Sequence, residues 1–354
     1  MSRYEIVDLF AGPGGLDVAA HCLGIPVTGI EWDADACATR RAFEEDLKPG
    51  SPDMRTEQGD VRDFDPDDFP NANVLTGGPP CQSFTVAGTG AGRQALDEVL
   101  GLIDAMAMGK DVRSDAALIN GDERTGLVLE PLRWALTALD RGRPYEAIVL
   151  EQVPAVLPVW KRMAEVLRDR GYSVADPGVL HTEEYGVPQT RRRAILVARY
   201  RSPDNPVSAR LPEPTHQRYR KGVAPGVASL APWVSMGQAL NRGNFTVISN
   251  YGTGGDPKAR GRRTDKEPAF TVTGKISRNR VVSVKNGVVH EGRFSNEEAG
   301  LLQTFPRLYP WQGNAIAQQI GNAIPPLLAA HILTAALDVP RRADGKVVLG
   351  YDGF

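Results

Sequence analysis

A chain of 354 residues can bury a full core and carry one large domain with a smaller companion. With 42% hydrophobic and 24% charged residues it has an ordinary globular composition, and it shows no unbroken apolar run of the roughly 18 residues that cross a bilayer, so no membrane partner is expected. The net charge of −2 hides a segregation: −15 over residues 1–188, +14 over residues 189–289 and −1 beyond, the asymmetry of a chain that binds a polyanion.

The three cysteines, Cys22, Cys37 and Cys81, have no CxxC spacing. That argues against a disulfide framework or a zinc site and for a reducing cytoplasm. The first strand-like stretch, residues 4–10, carries charges and runs into glycines, which is unlike a signal peptide.

Short apolar strands ending in polar residues or glycine are predicted at 4–10, 27–31, 74–77, 147–151 and 194–199. Between them lie amphipathic stretches, including 16–23 closed by Gly24 and 159–170 closed by Gly171. This alternation predicts a parallel or mostly parallel sheet with helices on both faces and ligands outside the carboxyl ends of its strands. Residues 94–120 are weakly patterned and read as a mobile insertion. Beyond Arg199 prolines accumulate and helical periodicity fades, which predicts a separate loop-rich unit to about His290. A helical pattern returns from Ser295 to Leu337, interrupted at 306–313 and at Pro325 and Pro326.

The first strand delivers Phe10-Ala11-Gly12-Pro13-Gly14-Gly15, a turn whose glycines let backbone approach a ligand and whose following helix favours a negative group. It is not GxGxxG, which disfavours a nicotinamide cofactor. The second strand ends in Glu31, a carboxylate suited to ribose hydroxyls. Trp32 follows with a flat face for adenine, and Asp60 after the third strand region can accept from an adenine amino group. Singly, the two acids read equally well as surface groups and the tryptophan as core; their order gives them weight. After the strand at 74–77 comes Gly78-Pro79-Pro80-Cys81. A lone cysteine is ordinarily a small buried hydrophobe, as Cys22 and Cys37 read. Two prolines, however, fix the backbone ahead of Cys81 and hold its sulfur in place.

These motifs together resemble the DNA (cytosine-5)-methyltransferase family: Phe10 to Gly15, Glu31-Trp32, Asp60, Pro79-Pro80-Cys81-Gln82, Glu151, Gln189-Thr190-Arg191-Arg192-Arg193, Gln303-Thr304-Phe305-Pro306, and Gln319-Ile320-Gly321-Asn322 to Pro326. The resemblance spans nearly the whole chain. It implies an α/β class I S-adenosylmethionine-dependent methyltransferase, a Rossmann-like mixed sheet with a smaller target-recognition domain. On that pattern residues 1–200 form the catalytic and cofactor-binding domain, 201–292 the target-recognition domain, and 293–354 a helical part returning to the first.

The implied reaction is methyl transfer from S-adenosylmethionine to C5 of cytosine in double-stranded DNA. Cys81 adds covalently to C6, Glu151 supplies a proton or donor to N3, and Arg191 or Arg193 stabilises charge at O2. The reacting atoms are inaccessible within a duplex, so the base is flipped out. The resemblance places the cofactor on Phe10, Gly12, Gly14, Gly15, Glu31, Trp32, Asp60, Pro79 and Asn322, with no metal. It also implies a monomer in the cytoplasm of a prokaryotic or phage-infected cell, in a restriction–modification setting. The basic segment coincides with the recognition region, and its candidates for DNA contact are Arg260, Arg262, Arg263, Lys275, Arg278 and Arg280. The cluster 260–263 is read as phosphate-binding, in a glycine-rich stretch that drapes along a backbone. Arg278 and Arg280 are read as base contacts on one side of a strand.

One departure stands out. The family's Glu-Asn-Val is here Glu151-Gln152-Val153, which changes how the catalytic loop is braced. Two rival readings remain. A transfer-RNA cytosine methyltransferase carries a Cys-Phe-Thr in its variable region, whereas this chain has no cysteine after Cys81. A silent nucleic-acid-binding homologue would lose Cys81 or Glu151, and both are present.

Overall fold

The structure is a computed structural model, and it describes residues 2–80, 90–116, 119, 123–201, 207–224, 226, 229–252, 260–339 and 349. In chain order the body contains β1 (Ile6–Leu9), α1 (Gly15–Cys22), β2 (Val27–Glu31), α2 (Ala34–Glu45), β3 (Met54–Gln58), β4 (Val74–Gly77), α3 (Gly90–Ala107), α4 (Arg113–Ala116), α5 (Glu123–Gly126), α6 (Glu130–Asp140), β5 (Ala147–Gln152), α7 (Leu157–Asp169), β6 (Tyr172–Val174), β7 (Gly178–His181) and β8 (Arg192–Tyr200). Its eight strands form one sheet in the order β3-β2-β1-β4-β5-β8-β6, with β7 also on β8. The first five run parallel, while β8 is antiparallel to β5, β6 and β7. A mixed sheet with helices on both faces is the Rossmann-like α/β architecture expected from the sequence.

Side chains alternate across the strands, so each face has its own core. Val7, Leu9, Leu75 and Ile148 pack against α3, α6 and α7. Ile6, Val27, Val74 and Val149 pack against α1 on the opposite face. β1 is hydrogen-bonded to both β2 and β4, so the strand order reverses beside it, and a crevice opens there at the carboxyl ends.

Of residues 94–120, described except at 117, 118 and 120, most form α3 and α4 instead of an unpatterned insertion. Ala95, Val99, Ile103 and Met106, spaced by four, four and three, are buried on α3, which packs along α7. Arg162 of α7 and Arg170, just past its end, donate to Asp104 and to the Ala107 carbonyl. The signal was a helical stripe, diluted by glycine and alanine at its start.

A second, four-stranded antiparallel sheet follows: α8 (Met236–Leu240), β9 (Phe245–Gly252), β10 (Arg260–Thr264), β11 (Arg280–Lys285) and β12 (Val288–Gly292), in the order β10-β9-β11-β12. Its core of Phe245, Val247, Val272 and Val281 is shared with α9 (Asn296–Leu302), which starts at a capping box formed by Ser295 and Glu298. Then come α10 (Ile316–Asn322) and α11 (Pro326–Leu337). Averaged over its length, Ile316–Leu337 is apolar enough to cross a bilayer, a feature that the search for unbroken apolar runs passed over. Here it is split between two helices at Pro325, and every residue of α11 is buried, packed on α1 and β5.

Candidate active site

β1 ends in a turn where Phe10, Gly12 and Gly14 all have positive φ, at 61°, 57° and 94°. Such strain in a non-glycine residue persists where the surroundings enforce it, and it clusters at ligand sites. Around the site of a Cβ on Gly12 there is nothing within 4 Å, so the backbone is bare to the cavity. Gly15 cannot gain a side chain, because its Cβ would lie 2.2 Å from the Ile324 carbonyl oxygen. That contact seats the segment between α10 and α11 against the turn.

Glu31 caps β2 and is buried; Gly12 N–H donates to its Oε2 at 2.7 Å, and the N–H groups of Trp32 and Asp33 to its Oε1 at 2.9 and 2.8 Å. Burial pushes its carboxyl above the ordinary value against the pull of these donors. Trp32 is 75% exposed, an indole face in the open rather than a core residue. Asp60 caps a 3-10 turn and accepts from Arg62 Nη2 at 2.6 Å; burial raises its carboxyl, but the hydrogen bonds and charge of Arg62 outweigh this and hold it low.

One cavity of about 700 Å³ connects these residues with the ends of β4 and β5. Phe10, Gly12, Gly15, Glu31, Trp32 and Asp60 line it together with Pro80, Glu151, Gln152, Arg193 and Asn322. Gly14 and Pro79 stand behind the wall. A Cβ on Gly14 would meet the Tyr309 hydroxyl at 3.1 Å, and the Pro79 carbonyl accepts from the Gln152 amide. Gln152 thus braces the strand that leads to residue 81. Cys81 itself lies outside the described residues. Burial raises the other two thiols, Cys22 to about 12 and Cys37 to about 11, which leaves them poor nucleophiles.

The two candidate arginines part company. Arg193 Nε lies 2.5 Å from Glu151 Oε1, and both side chains reach the cavity. Among the described residues Glu151 Oε1 receives no aligned hydrogen bond, so the contact is an ion pair. Arg191 is 1% exposed and absent from the cavity wall. Its guanidinium donates to the carbonyls of Val272 (2.8 Å), Gly321 (2.8 Å) and Ala323 (3.1 Å), and burial drives its pKa well down. The expectation that either arginine could face the reacting base is corrected for Arg191, a clamp between β8, the small sheet and α10. Gln189 and Gln303 belong to the same seam. Both are fully buried, and Gln189 Nε2 donates to Gln303 Oε1 at 2.6 Å while its Oε1 accepts from Val272 N–H.

The basic candidates also separate. Arg263 is not available to a phosphate. It sits between the rings of Tyr219 and Phe270, at 4.7 and 4.3 Å from their centroids, and donates to Thr190 Oγ1 and to the carbonyls of Pro268 and Ala269. Residues 260–264 form a strand rather than a draping loop. Arg278 ends the 3-10 turn Ile276–Arg278 and β11 begins at Arg280, so strand alternation does not place the two on one side. Arg280 lies 3.2 Å from Glu291. Arg262, Lys275 and Arg278 are exposed, and Arg260 is half-buried. Asp8 near the end of β1, Arg62 in a 3-10 turn and Gln318 on α10 line the cavity without having been singled out.

The sequence matches the C-5 cytosine-specific DNA methylase family over residues 4–100 and 145–337. Among curated proteins it is 26% identical to the Type II methyltransferase M.Eco47II of Escherichia coli, covering 91% of this chain and 76% of that one. It is likewise 26% identical to M.NgoFVII of Neisseria gonorrhoeae, covering 92% and 84%. Among solved structures, the Dnmt2 methyltransferase of S. pombe superposes with a TM-score of 0.57 at 14% identity, covering 95% of this chain and 99% of that one. The methyltransferase EhMeth of Entamoeba histolytica gives 0.58 at 14%, covering 96% and 99%. These two likenesses concern the fold.

Proposed function

The chain belongs to the C-5 cytosine-specific DNA methylase family and is a DNA cytosine methyltransferase, and on that premise we propose that it methylates C5 of cytosine at a specific sequence in double-stranded DNA, with S-adenosylmethionine as donor and Cys81 as nucleophile. The observation that carries this reading is the single cavity, with the glycine turn, Glu31 and Trp32 at one end and the Glu151–Arg193 pair at the other. About 700 Å³ lies within the range of cofactor sites.

S-adenosylmethionine supplies an electrophilic methyl group. The bare backbone at Gly12 admits its amino-acid part, Glu31 accepts from ribose hydroxyls, the Trp32 face meets adenine, and Asp60 accepts from the adenine amino group. Asn322 closes the wall from α10.

At the other end, the Cys81 thiolate adds to C6 of a flipped-out cytosine. Electron density moves toward N3 and O2, where Glu151 delivers a proton and Arg193 donates to the oxygen. With S-adenosylmethionine bound, C5 would take the methyl group as its bond to sulfur breaks. Loss of the C5 proton to solvent, return of the N3 proton to Glu151 and expulsion of the Cys81 thiolate then restore the aromatic ring. The Gln152 amide, held on the Pro79 carbonyl, does the bracing that the family's shorter asparagine would do. Exposed Arg262, Lys275 and Arg278 are our candidates for DNA contact, the phosphate contacts supplying affinity and the base contacts sequence. The names of the curated relatives support a role as the modification partner of a restriction enzyme.

The test is a trap: a duplex bearing 5-fluorocytosine at the target leaves a covalent adduct, because fluorine does not depart as the C5 proton does. Mass spectrometry should find it on Cys81. An adduct on Cys22 or Cys37 sinks the assignment, and tritium release from C5-labelled RNA but not DNA reverses the substrate.

A further inference from the structure

Beneath the glycine turn lies a polar cluster that no step above uses. Asp8, next to the end of β1, is only 3% exposed yet touches the cavity wall. Thr76 Oγ1 on β4 donates to its Oδ1 at 2.6 Å, and the carboxyl of Asp17 on α1 is its acidic neighbour. Asp17 Oδ1 accepts from Arg40 Nη2 of α2 at 2.8 Å, with both side chains fully buried. Asp17 Oδ2, however, is buried and has no N–H or O–H donor among the described residues. Two facing carboxyls with an orphan acceptor between them are the arrangement of a shared proton, and a protonated Asp8 is the donor that satisfies Asp17 Oδ2. Burial first, then the charge of Asp17, pushes Asp8 well above the ordinary carboxyl value, while Thr76 and Arg40 pull the other way. The remaining groups around the pair are Thr56 on β3 with Glu44 of α2, both tied to Arg40, Glu31 at the end of β2, and Tyr309, whose hydroxyl donates to the Pro13 carbonyl.

We propose that the Asp8–Asp17 pair is a proton store coupled to the charge of the bound cofactor: the cationic sulfonium form drives the shared proton out to solvent, and the neutral thioether left after transfer lets it return. The inference rests on S-adenosylmethionine being the donor, as proposed above. A positive charge brought into the same cavity favours carboxylate over acid by about tenfold or more. S-adenosylmethionine and S-adenosylhomocysteine carry the same ammonium and carboxylate, so their comparison isolates the sulfonium charge. The sign follows: as pH rises while free Asp8 still holds its proton, affinity for the sulfonium form strengthens relative to the thioether, by up to about tenfold per unit.

The test is calorimetric titration of the full chain with each ligand in buffers of different ionisation enthalpy, which counts protons released. S-adenosylmethionine should release more than S-adenosylhomocysteine, and sinefungin, with an ammonium in place of the sulfonium, should side with the first. Asp8→Asn keeps an acceptor for Thr76 and gains an N–H for Asp17 Oδ2, so it mimics the protonated pair: both ligands should bind and the difference should vanish. Equal release by the two ligands in the unaltered protein overturns the inference without any variant, as does a difference that survives Asp8→Asn. Failure of either ligand to bind at all overturns the cofactor assignment, and this inference with it.

Discussion

The two sheets of this molecule use arginine in opposite ways. Around the large sheet, Arg40 and Arg191 are sealed inside, one against Asp17 and the other against three carbonyl oxygens, while Arg193 reaches the cavity beside Glu151. In the small sheet Arg262 faces water, but Arg263 is held between two aromatic rings and Arg280 lies beside Glu291. Net charge therefore singles out a segment without saying which of its cations are free. A motif names residues, and burial then divides them between chemistry and support.

The sharpest break in the comparison is at the catalytic end. Cys81→Ser should reduce methyl transfer to background while leaving DNA binding nearly unchanged. Glu151→Gln should lower kcat by about 100- to 10,000-fold, the range of a lost general acid or base. Single-turnover kinetics with DNA binding measured alongside tests both. A parallel loss of binding affinity would assign the residues to recognition instead.

Arg191 and Arg193 sharpen it further. Arg193→Met should cost about 100-fold in rate with thermal stability unchanged, as for a lost oxyanion donor. Arg191→Met should do the reverse, taking a donor from three buried carbonyls, of which Ala323 keeps a second from Gln303, at a cost on the order of 3 kcal/mol. Thermal unfolding of each variant distinguishes them; a stable but inactive Arg191→Met would return that residue to the active site.

This pair also shows how far the sequence could be read. The strands at 27–31 and 74–77 form with the predicted bounds because their buried residues are continuous and their ends are marked by glycine or an acid. The cofactor turn, Glu31, Trp32 and Glu151 meet at one cavity because each sits at or just beyond the end of a neighbouring strand, which periodicity reveals. What could not be read depends on contacts distant in sequence. Arg191 reaches Gly321 and Ala323 across 130 and 132 positions. Arg263 is fixed by Tyr219, 44 positions away, and nothing in the local pattern separates it from Arg262, its exposed neighbour. The α3 stripe was legible but was outweighed by the glycine and alanine around it.

Where the two sheets meet, acid and base should trade stability with pH. Glu183, 2% exposed, is pushed up to about 7, first by burial and then by Glu184, against the charges of Arg218 and Arg263. A carboxyl raised above its unfolded value of about 4.5 stabilises the fold fully below that pH, and the contribution is lost as pH climbs to about 7. Glu183→Gln should therefore match the unaltered protein near pH 4.5 and exceed it by about 2–3 kcal/mol at pH 8. Chemical denaturation across that range measures it. A variant that is less stable at pH 8 would mean that the ionised carboxylate has a partner worth more than its desolvation.

The smallest expected effect is the one that separates neighbours within the basic sheet. Arg262 is exposed and Arg263 half-buried, one residue apart on β10. If Arg262 contacts a phosphate, Arg262→Ala should weaken binding to all DNA sequences alike and reduce the slope of log K against log salt by about one, since each neutralised phosphate releases condensed counterions. Arg263→Ala removes donors from two carbonyls and the filling between Tyr219 and Phe270, so it should lower the unfolding temperature and leave the salt slope where it was. Lys275 and Arg278 stand outside both expectations, because they are exposed on and beside a 3-10 turn whose loop is pinned at Val272 to Gln189 and at Gly274 against the cavity-lining helix α10. Replacing either should change which cytosines are methylated, at a cost of about 1–3 kcal/mol at one base position. Bisulfite sequencing of DNA methylated by each variant reads this directly. If Arg278→Ala changes only the salt slope and Arg262→Ala changes the methylated sequence, the two assignments must be exchanged.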